Sequence, residues 1–554
     1  MGMIPKIVLF GQEARNKILE GAEIIARAVG VTLGPKGRNV GLSSKYGGAI
    51  TVHDGVTVAN EIKVDDPTQD IGVTLIREAA RKTNDASGDG TTTATVLAYQ
   101  ILKEGNTHIT GVNPMLMKKG IDTAVKQAVE ILKGMAEPIK DSLEKMIQVA
   151  TVSAADEEIG KVIAEALKKV GKHGVVTVDK GTELGYHTEY KDGMEWDKGW
   201  IHPAFVFMIL DGKPNIRFEA IVKEPFVLVT DHTITSPREI VPFLERFLEA
   251  GHKNLLIISD GIEREAMAIL SNNFARGVLN VLPVSAPSSA EYKRDSLQDI
   301  AILTGGTFIT KEQGRKVEDT QITDLGRAEK AVATKDSTVL TIGRGENMLT
   351  VEQFNEIKEK VKARAAQVEE QLREADHEYV KERYKERLAK LTSGVAVVKV
   401  GTASDTENRE RMERVKDAIG ATRAAVEEGI IPGGGVALLH VAQKLKTNLP
   451  SKEESIGAEI LKSALLQPIR LLVENAGEDG KVVVNEVLKR EFGIGYNVLT
   501  GEYVDMKKAG IVDPVKVTIS AIQNASSVAS MILTTEATVT DKPDPKREEK
   551  EQNG

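Results

Sequence analysis

The chain has 554 residues, too many for one compact core, so roughly two to four domains are expected. Its 41% apolar and 28% charged residues are the composition of an ordinary soluble protein, and a net charge of −8 argues against general nucleic-acid binding, which needs a basic footprint. With no cysteine, disulfides, thiolate zinc sites and cysteine nucleophiles are excluded. No stretch approaches an uninterrupted apolar membrane span, and the start, Met1-Gly2-Met3-Ile4-Pro5-Lys6, lacks the features of a signal peptide. A cytoplasmic location is the expectation.

Taken in chain order, the first element is a helix. Ala14, Ile18, Ala22, Ile25, Ala26 and Val29 recur at helical spacing and stop at Gly30. A glycine turn follows, Thr32-Leu33-Gly34-Pro35-Lys36-Gly37-Arg38-Asn39, which reads either as a helix stop or as a backbone approach to an anion. The octapeptide Gly88-Asp89-Gly90-Thr91-Thr92-Thr93-Ala94-Thr95 is the most informative segment. Its glycines admit an anion close to the backbone, and its threonines open a helix whose unpaired N–H groups favour negative charge. Asp89 would then hold a magnesium ion that also binds phosphate oxygens. The helix continues through Val96 to Leu102, and Ile121, Val125, Val129 and Leu132 form a further apolar stripe.

Between about 225 and 310 the pattern changes. Strands are expected at Phe226–Asp231, Leu255–Ser259 and Val281–Ser285, followed by helices near 237–250, 262–276 and 291–303. That alternation predicts an inserted α/β domain with parallel pairing. Both tryptophans, Trp196 and Trp200, lie just before it. From Phe354 to Leu391, charged residues interleaved with apolar ones predict two long helices broken near Ala375-Asp376-His377, their charges forming a solvated face. Gly394 to Gly401 reads as a strand. Val415-Lys416-Asp417-Ala418-Ile419 places one acid on a helix, which by itself means only a surface residue. Pro432-Gly433-Gly434-Gly435 leads into a helix at Val436–Leu445 and suits a nucleotide packed on bare backbone. The proline- and charge-rich tail Asp541–Gly554 reads as disordered.

Thr32–Asn39, Gly88–Thr95, the further segment Ala421–Gly429 (ATRAAVEEG) and Gly433–Leu438, in that order, resemble the group I chaperonins, the GroEL family. The likeness runs from about Lys6 to Asp541 and includes Leu297–Ala301 and Leu303–Thr307. The resemblance implies a multidomain chaperonin fold with a helical equatorial ATPase domain (1–135 and 428–540), a small intermediate domain (136–191 and 395–427) and an α/β apical domain (192–394). It implies hinges at Pro138 and Gly429 and at Gly193 and Gly394. It also implies an ATP-dependent folding chaperone that captures non-native proteins and encloses them. Such a chaperone assembles as two stacked rings of seven subunits with a lid-forming co-chaperonin.

For the site, the resemblance makes Asp89 the Mg2+ ligand, with Gly90, Thr91, Thr92 and Thr93 around the phosphates of ATP. Thr32, Leu33, Gly34 and Pro35 match a segment that also serves a K+ ion. Gly434 and Asp513 match nucleoside contacts, and Asn497, Val498 and Leu499 an adenine-side loop. Asp417 matches the acid that positions the attacking water, and Asp54 a second acid beside the phosphate. His53 stands where the family usually has lysine. The change is minor if only the backbone contacts the ion; otherwise a neutral imidazole weakens phosphate affinity. The apolar client-binding rim is matched by Trp200, Phe205, Val241, Leu244 and Met267, but Ala204 replaces an aromatic and Ser271-Asn272 replace a valine pair. The segment Ser288–Arg294 departs too, and so does the tail, which lacks glycine–methionine repeats. These departures read either as neutral drift or as an altered client set with weaker co-chaperonin docking. A second function follows from the latter: a ring-forming, ATP-switched binding scaffold for one dedicated partner. A metabolic phosphotransferase would need an acceptor site, and no motif supplies one.

Overall fold

The computed structural model describes residues 5–43, 49–139, 142–171, 174–181, 183–206, 209–210, 213–214, 219–287, 292–343, 349–375 and 377–542. The chain forms two compact units, one of Met1–Glu165, Val178–His187 and Lys399–Gly554, the other of Ala166–Thr177 and Thr188–Val398. The division falls inside both stretches expected to form an intermediate domain.

The first unit is helical. Gly11–Gly30, Pro67–Ser87, Thr91–His108, Pro114–Met135, Lys452–Ala464 and Val515–Leu533 share one core, in which Ile18, Ile25, Ile76, Leu97, Ile101, Ile121, Leu461 and Ile522 are buried. The first two helices cross at backbone contact: a Cβ on Gly72 would lie 2.0 Å from the Ile18 carbonyl oxygen. The two ends of the chain pair as antiparallel strands, Lys6–Phe10 with Ala537–Asp541, register Lys6 to Asp541. Asp541 is therefore strand rather than disordered tail, because its backbone completes that ladder and Lys542 donates its N–H to Pro5. Residues 543–554 of the expected tail lie outside the described residues.

The second unit carries the predicted parallel sheet. Asn280–Ser285, Asn254–Ser259, Phe226–Thr230 and Phe308–Ile309 run parallel in that order, with Gly326–Arg327 antiparallel beside Phe226–Thr230. The middles of the long parallel strands are apolar because both faces are covered. Val227, Val229, Leu256, Ile258, Leu282 and Val284 face one core; Phe226, Leu228, Leu255, Ile257 and Val281 face the other. Helices Pro237–Glu249, Arg264–Ala275 and Lys293–Thr304 follow the strands as expected. A six-stranded sheet has the order Val175–Lys180, Val395–Gly401, Gly185–Trp196, Thr338–Ile342, Lys330–Ala333, Ala220–Lys223. The paired tryptophans both meet the Asn280–Ser285 strand: the Trp196 indole donates to the Ser285 carbonyl at 3.1 Å, and Trp200 bridges to Val284.

The charged hairpin forms as Val351–Glu374 and Glu378–Thr392. Its charges are not all solvated, which corrects the expectation. Arg364 and Arg387 turn inward and grip Asp299, a carboxylate only 3% exposed, and both also reach Asp295. A carboxylate buried beneath the hairpin needs cations, and the hairpin supplies them.

Candidate nucleotide site

The helix Pro67–Ser87 ends at Gly88, φ 70°, in the left-handed region, and Thr91–His108 begins after Gly90, φ 86°. Asp89 thus sits between the C-terminus of one helix and the N-terminus of the next. Gly90 offers no side-chain cap, so the first-turn N–H groups are available to an anion. The Asp89 carboxylate accepts from the Gly90 N–H and, at 2.9 Å, from the Ser153 hydroxyl. Burial pushes its pKa up, with the negative charge of Asp54 adding to the shift. Asp54 caps the helix Gly55–Glu61, accepting from the N–H groups of Val56 (3.1 Å) and Thr57 (2.8 Å). Gly55 brings that helix against the threonines, since a Cβ there would lie 2.4 Å from the Thr92 hydroxyl. Asp54, Asp89, Thr91 and Thr92 are therefore gathered as the motifs imply. Thr93 is half-buried on the same first turn.

The Thr32–Pro35 turn joins them: the Thr32 hydroxyl lies 3.5 Å from that of Thr92, and donates to the Val29 carbonyl at 2.8 Å. Asn475 clamps this turn by donating to the carbonyls of Gly30 and Leu33, each at 3.0 Å. Gly34 has φ 83° and lies against Leu472. His53 bonds Asn39 at 3.1 Å, and burial, then the Arg414 cation, push its pKa down. Both effects disfavour the charged form of the imidazole, which stands where the family usually has a lysine.

On the other side, Ile430–Pro432 pairs antiparallel with Val512–Pro514, setting Asp513 opposite Ile431 and beside the glycine turn. Gly433 donates to the Ile511 carbonyl at 2.9 Å, and Gly434, φ 62°, has no room for a Cβ against Met506. Burial and the neighbouring Asp89 charge push the Asp513 carboxyl up to about 7. Asn497 closes the hairpin of Ile494–Asn497 and Glu502–Asp505 by accepting from the Leu499 N–H at 3.0 Å. Val498 is buried in the small core beneath, so only its backbone is free for a nucleoside, and Leu499 is exposed.

Asp417 lies on the helix Asp405–Glu428. One turn later, Gly420 meets the phosphate-type loop: a Cβ on Gly420 would lie 2.7 Å from the Gly88 Cα. Asp417, at i−3 from Gly420, shares that face. Ser153, Asn475 and Gly420 carried no motif in the sequence; their partners lie far away in the chain, and no local pattern marks them. No group of three or more His, Asp or Glu able to hold a metal occurs among the described residues. The chemistry of the donors fits magnesium in the other way: one deep carboxylate, Asp89, beside backbone that admits phosphate oxygens.

At the hinge positions, Gly429 has φ 88°, and a Cβ there would lie 2.7 Å from the Glu137 carbonyl oxygen, next to exposed Pro138. A Cβ on Gly394 would lie 2.7 Å from the Lys191 carbonyl oxygen, and one on Gly193 2.3 Å from that of Leu340. The residues expected at the rim differ in burial. Phe205, Leu244 and Met267 are core residues covering one face of the parallel sheet. Trp200, Val241 and Ser271 are half-buried, and Ala204 and Asn272 are exposed. Ser288–Glu291 lie outside the described residues.

The helical unit with its glycine-lined cradle and the α/β unit together make a chaperonin fold. The chain belongs to the TCP-1/cpn60 chaperonin family, whose model matches residues 25–543. Among solved structures it is similar to the chaperonin gp146 from bacteriophage EL 2 (Pseudomonas aeruginosa), crystallised in the presence of ATP-BeFx. The TM-score is 0.69 at 20% identity, over 97% of this chain and 100% of that one. At that identity the likeness speaks for the fold. No helix among the described residues is long and apolar enough to cross a membrane.

Proposed function

We propose that this chaperonin is an ATP-dependent protein-folding chaperone, with the equatorial, intermediate and apical division given above. The observation that carries the reading is the contact of Gly420 with Gly88, which sets the Asp417 helix against the Asp89 loop. ATP hydrolysis forms a bond from water oxygen to the γ-phosphorus and breaks the bond to the β–γ bridging oxygen, whose electron pair leaves with ADP. Asp417 orients the water and accepts its proton, while Thr91–Thr93, the first-turn N–H groups and the bare glycines hold the phosphates. Asp89 would hold Mg2+, which when bound neutralises phosphate charge. The Thr32–Pro35 turn would serve K+. The structure of a relative crystallised with ATP-BeFx supports nucleotide binding. The rings of seven, the co-chaperonin and the closed chamber are part of this reading.

The test is a pair of variants. Asp417→Ala is expected to bind ATP within about twofold of wild type but to hydrolyse it about 10²-fold more slowly. Asp89→Ala is expected to lose Mg-ATP affinity as well. Normal turnover in Asp417→Ala would defeat the assignment.

The dedicated-partner scaffold remains a second reading, favoured by one observation: three expected rim residues are buried.

A further inference from the structure

The helix Asp405–Glu428 turns more than one charged residue toward the candidate site. Gly420 defines the inward face, because it touches Gly88. Counting back along the helix, Asp417 lies three residues before Gly420, Arg414 three before Asp417 and Glu410 four before Arg414, so each neighbours the next on the helix surface. Arg414 donates through Nη2 to Glu410 Oε1, and each side chain is about one-third exposed. The same helix packs against the strand Ala49–Val52, which leads directly into His53. Arg414 and Glu410 are the two charges of that helix felt at His53, whose ring is tied to Asn39. The helix that carries the acid read as water-positioning therefore also carries a guanidinium one turn away, and it packs against the strand that leads into His53.

We propose that Arg414 supplies positive charge to the terminal phosphate of bound ATP, from the part of the helix surface that carries Asp417, at a site where His53 stands in place of the family's usual lysine. This rests on the ATPase reading above. In the hydrolysis described there, charge builds on the leaving and equatorial oxygens, and a guanidinium can hold two of them at once. Glu410 keeps Arg414 extended along the helix face, and phosphate oxygens offer the guanidinium acceptors of higher charge. Arg414 and Asp417 then arrive as one rigid unit, spaced by a single helical turn.

The experiment uses the full-length chain with ATP, ADP and Mg2+, measuring nucleotide affinity by titration and hydrolysis in a single turnover. Arg414→Met is expected to leave ADP affinity within about twofold and to slow hydrolysis about 10²-fold, below the full effect of an arginine finger. Adding His53→Lys to Arg414→Met is expected to recover about tenfold of that loss, since a positive charge returns from a neighbouring position. Wild-type turnover in Arg414→Met overturns the proposal. So does a loss that His53→Lys leaves untouched, because that pattern marks a role in folding or packing alone. If Asp417→Ala also turns over normally, the ATPase assignment falls; if Asp417→Ala is slow and Arg414→Met is not, only the role of Arg414 falls.

Discussion

Glu137 precedes the expected hinge residue Pro138, and its carboxylate is held between two amines, Lys145 and, at 2.9 Å, Lys507. Its backbone exchanges two 2.9 Å hydrogen bonds with Ile430, one residue from Gly429. The hydrogen bonds from Lys145 and Lys507 hold its pKa down to about 2, below the usual 4.5. A depressed carboxyl stabilises the folded state fully above its unfolded value, and that stabilisation disappears as pH falls from 4.5 through about 2. The side chain is 41% exposed, so water screens much of the effect. Glu137→Gln is therefore expected to cost about 1 kcal/mol at pH 7. By thermal unfolding, that difference should shrink steadily as the pH falls below 4.5 and be mostly gone at about 2, where half of the folded wild-type carboxyls are protonated; an equal difference at pH 7 and pH 2 would contradict it. Nothing in the sequence marks this residue, because its two amines lie 8 and 370 positions away.

The elements of the site differ in how far the sequence discloses them. The Asp89 loop was legible because its chemistry is local: two left-handed glycines, an acid and a threonine turn occupy adjacent positions. The parallel strands and their helices were legible for the same reason, through apolar runs and helical periodicity. The role of Asp417 came only from family resemblance, since a single helical acid has no pattern of its own. What gives it a place is the backbone crossing of two glycines, Gly88 and Gly420. That crossing makes a prediction at the level of helices. Gly420→Ala suits a helix interior on propensity, yet its Cβ would meet Gly88 at 2.7 Å and push the helix off the loop. ATP affinity should stay within about twofold while hydrolysis drops about tenfold, because small displacements of a reacting group are costly. Full activity with an alanine there would mean that the contact does not set the chemistry.

For the whole molecule, the question is what the α/β unit presents to other proteins. Residues read as rim from sequence divide by helix face: Phe205, Leu244 and Met267 fill the core, while Ala204 and Asn272 reach the surface. Sequence could name these positions but not their burial, which depends on which sheet face each helix covers. The available surface near Ser271 and Asn272 is polar, so capture of exposed apolar chains should be weak. Restoring valine at both positions is expected to increase capture of several unrelated unfolded proteins, at about 25 cal/mol per Å2 of apolar surface gained. Unchanged capture across all of them would show that these positions do not choose clients. Broad refolding activity in the wild type would favour the general chaperone, and rescue of none would favour the dedicated scaffold.

The pairing of Lys6 with Asp541 joins residues 535 positions apart, and this has a consequence for biogenesis. The N-terminal strand is translated more than five hundred residues before its partner, so the helical unit cannot close until Ala537–Asp541 has been made. Residues 188–398, most of the second unit, are contiguous and free to fold while the remainder is still being translated. Throughout that interval the N-terminal helices keep apolar stripes that await the Lys452–Ala464 and Val515–Leu533 helices. Each newly made copy therefore spends its own synthesis as an incompletely folded chain, with the kind of exposed surface that folding assistants bind.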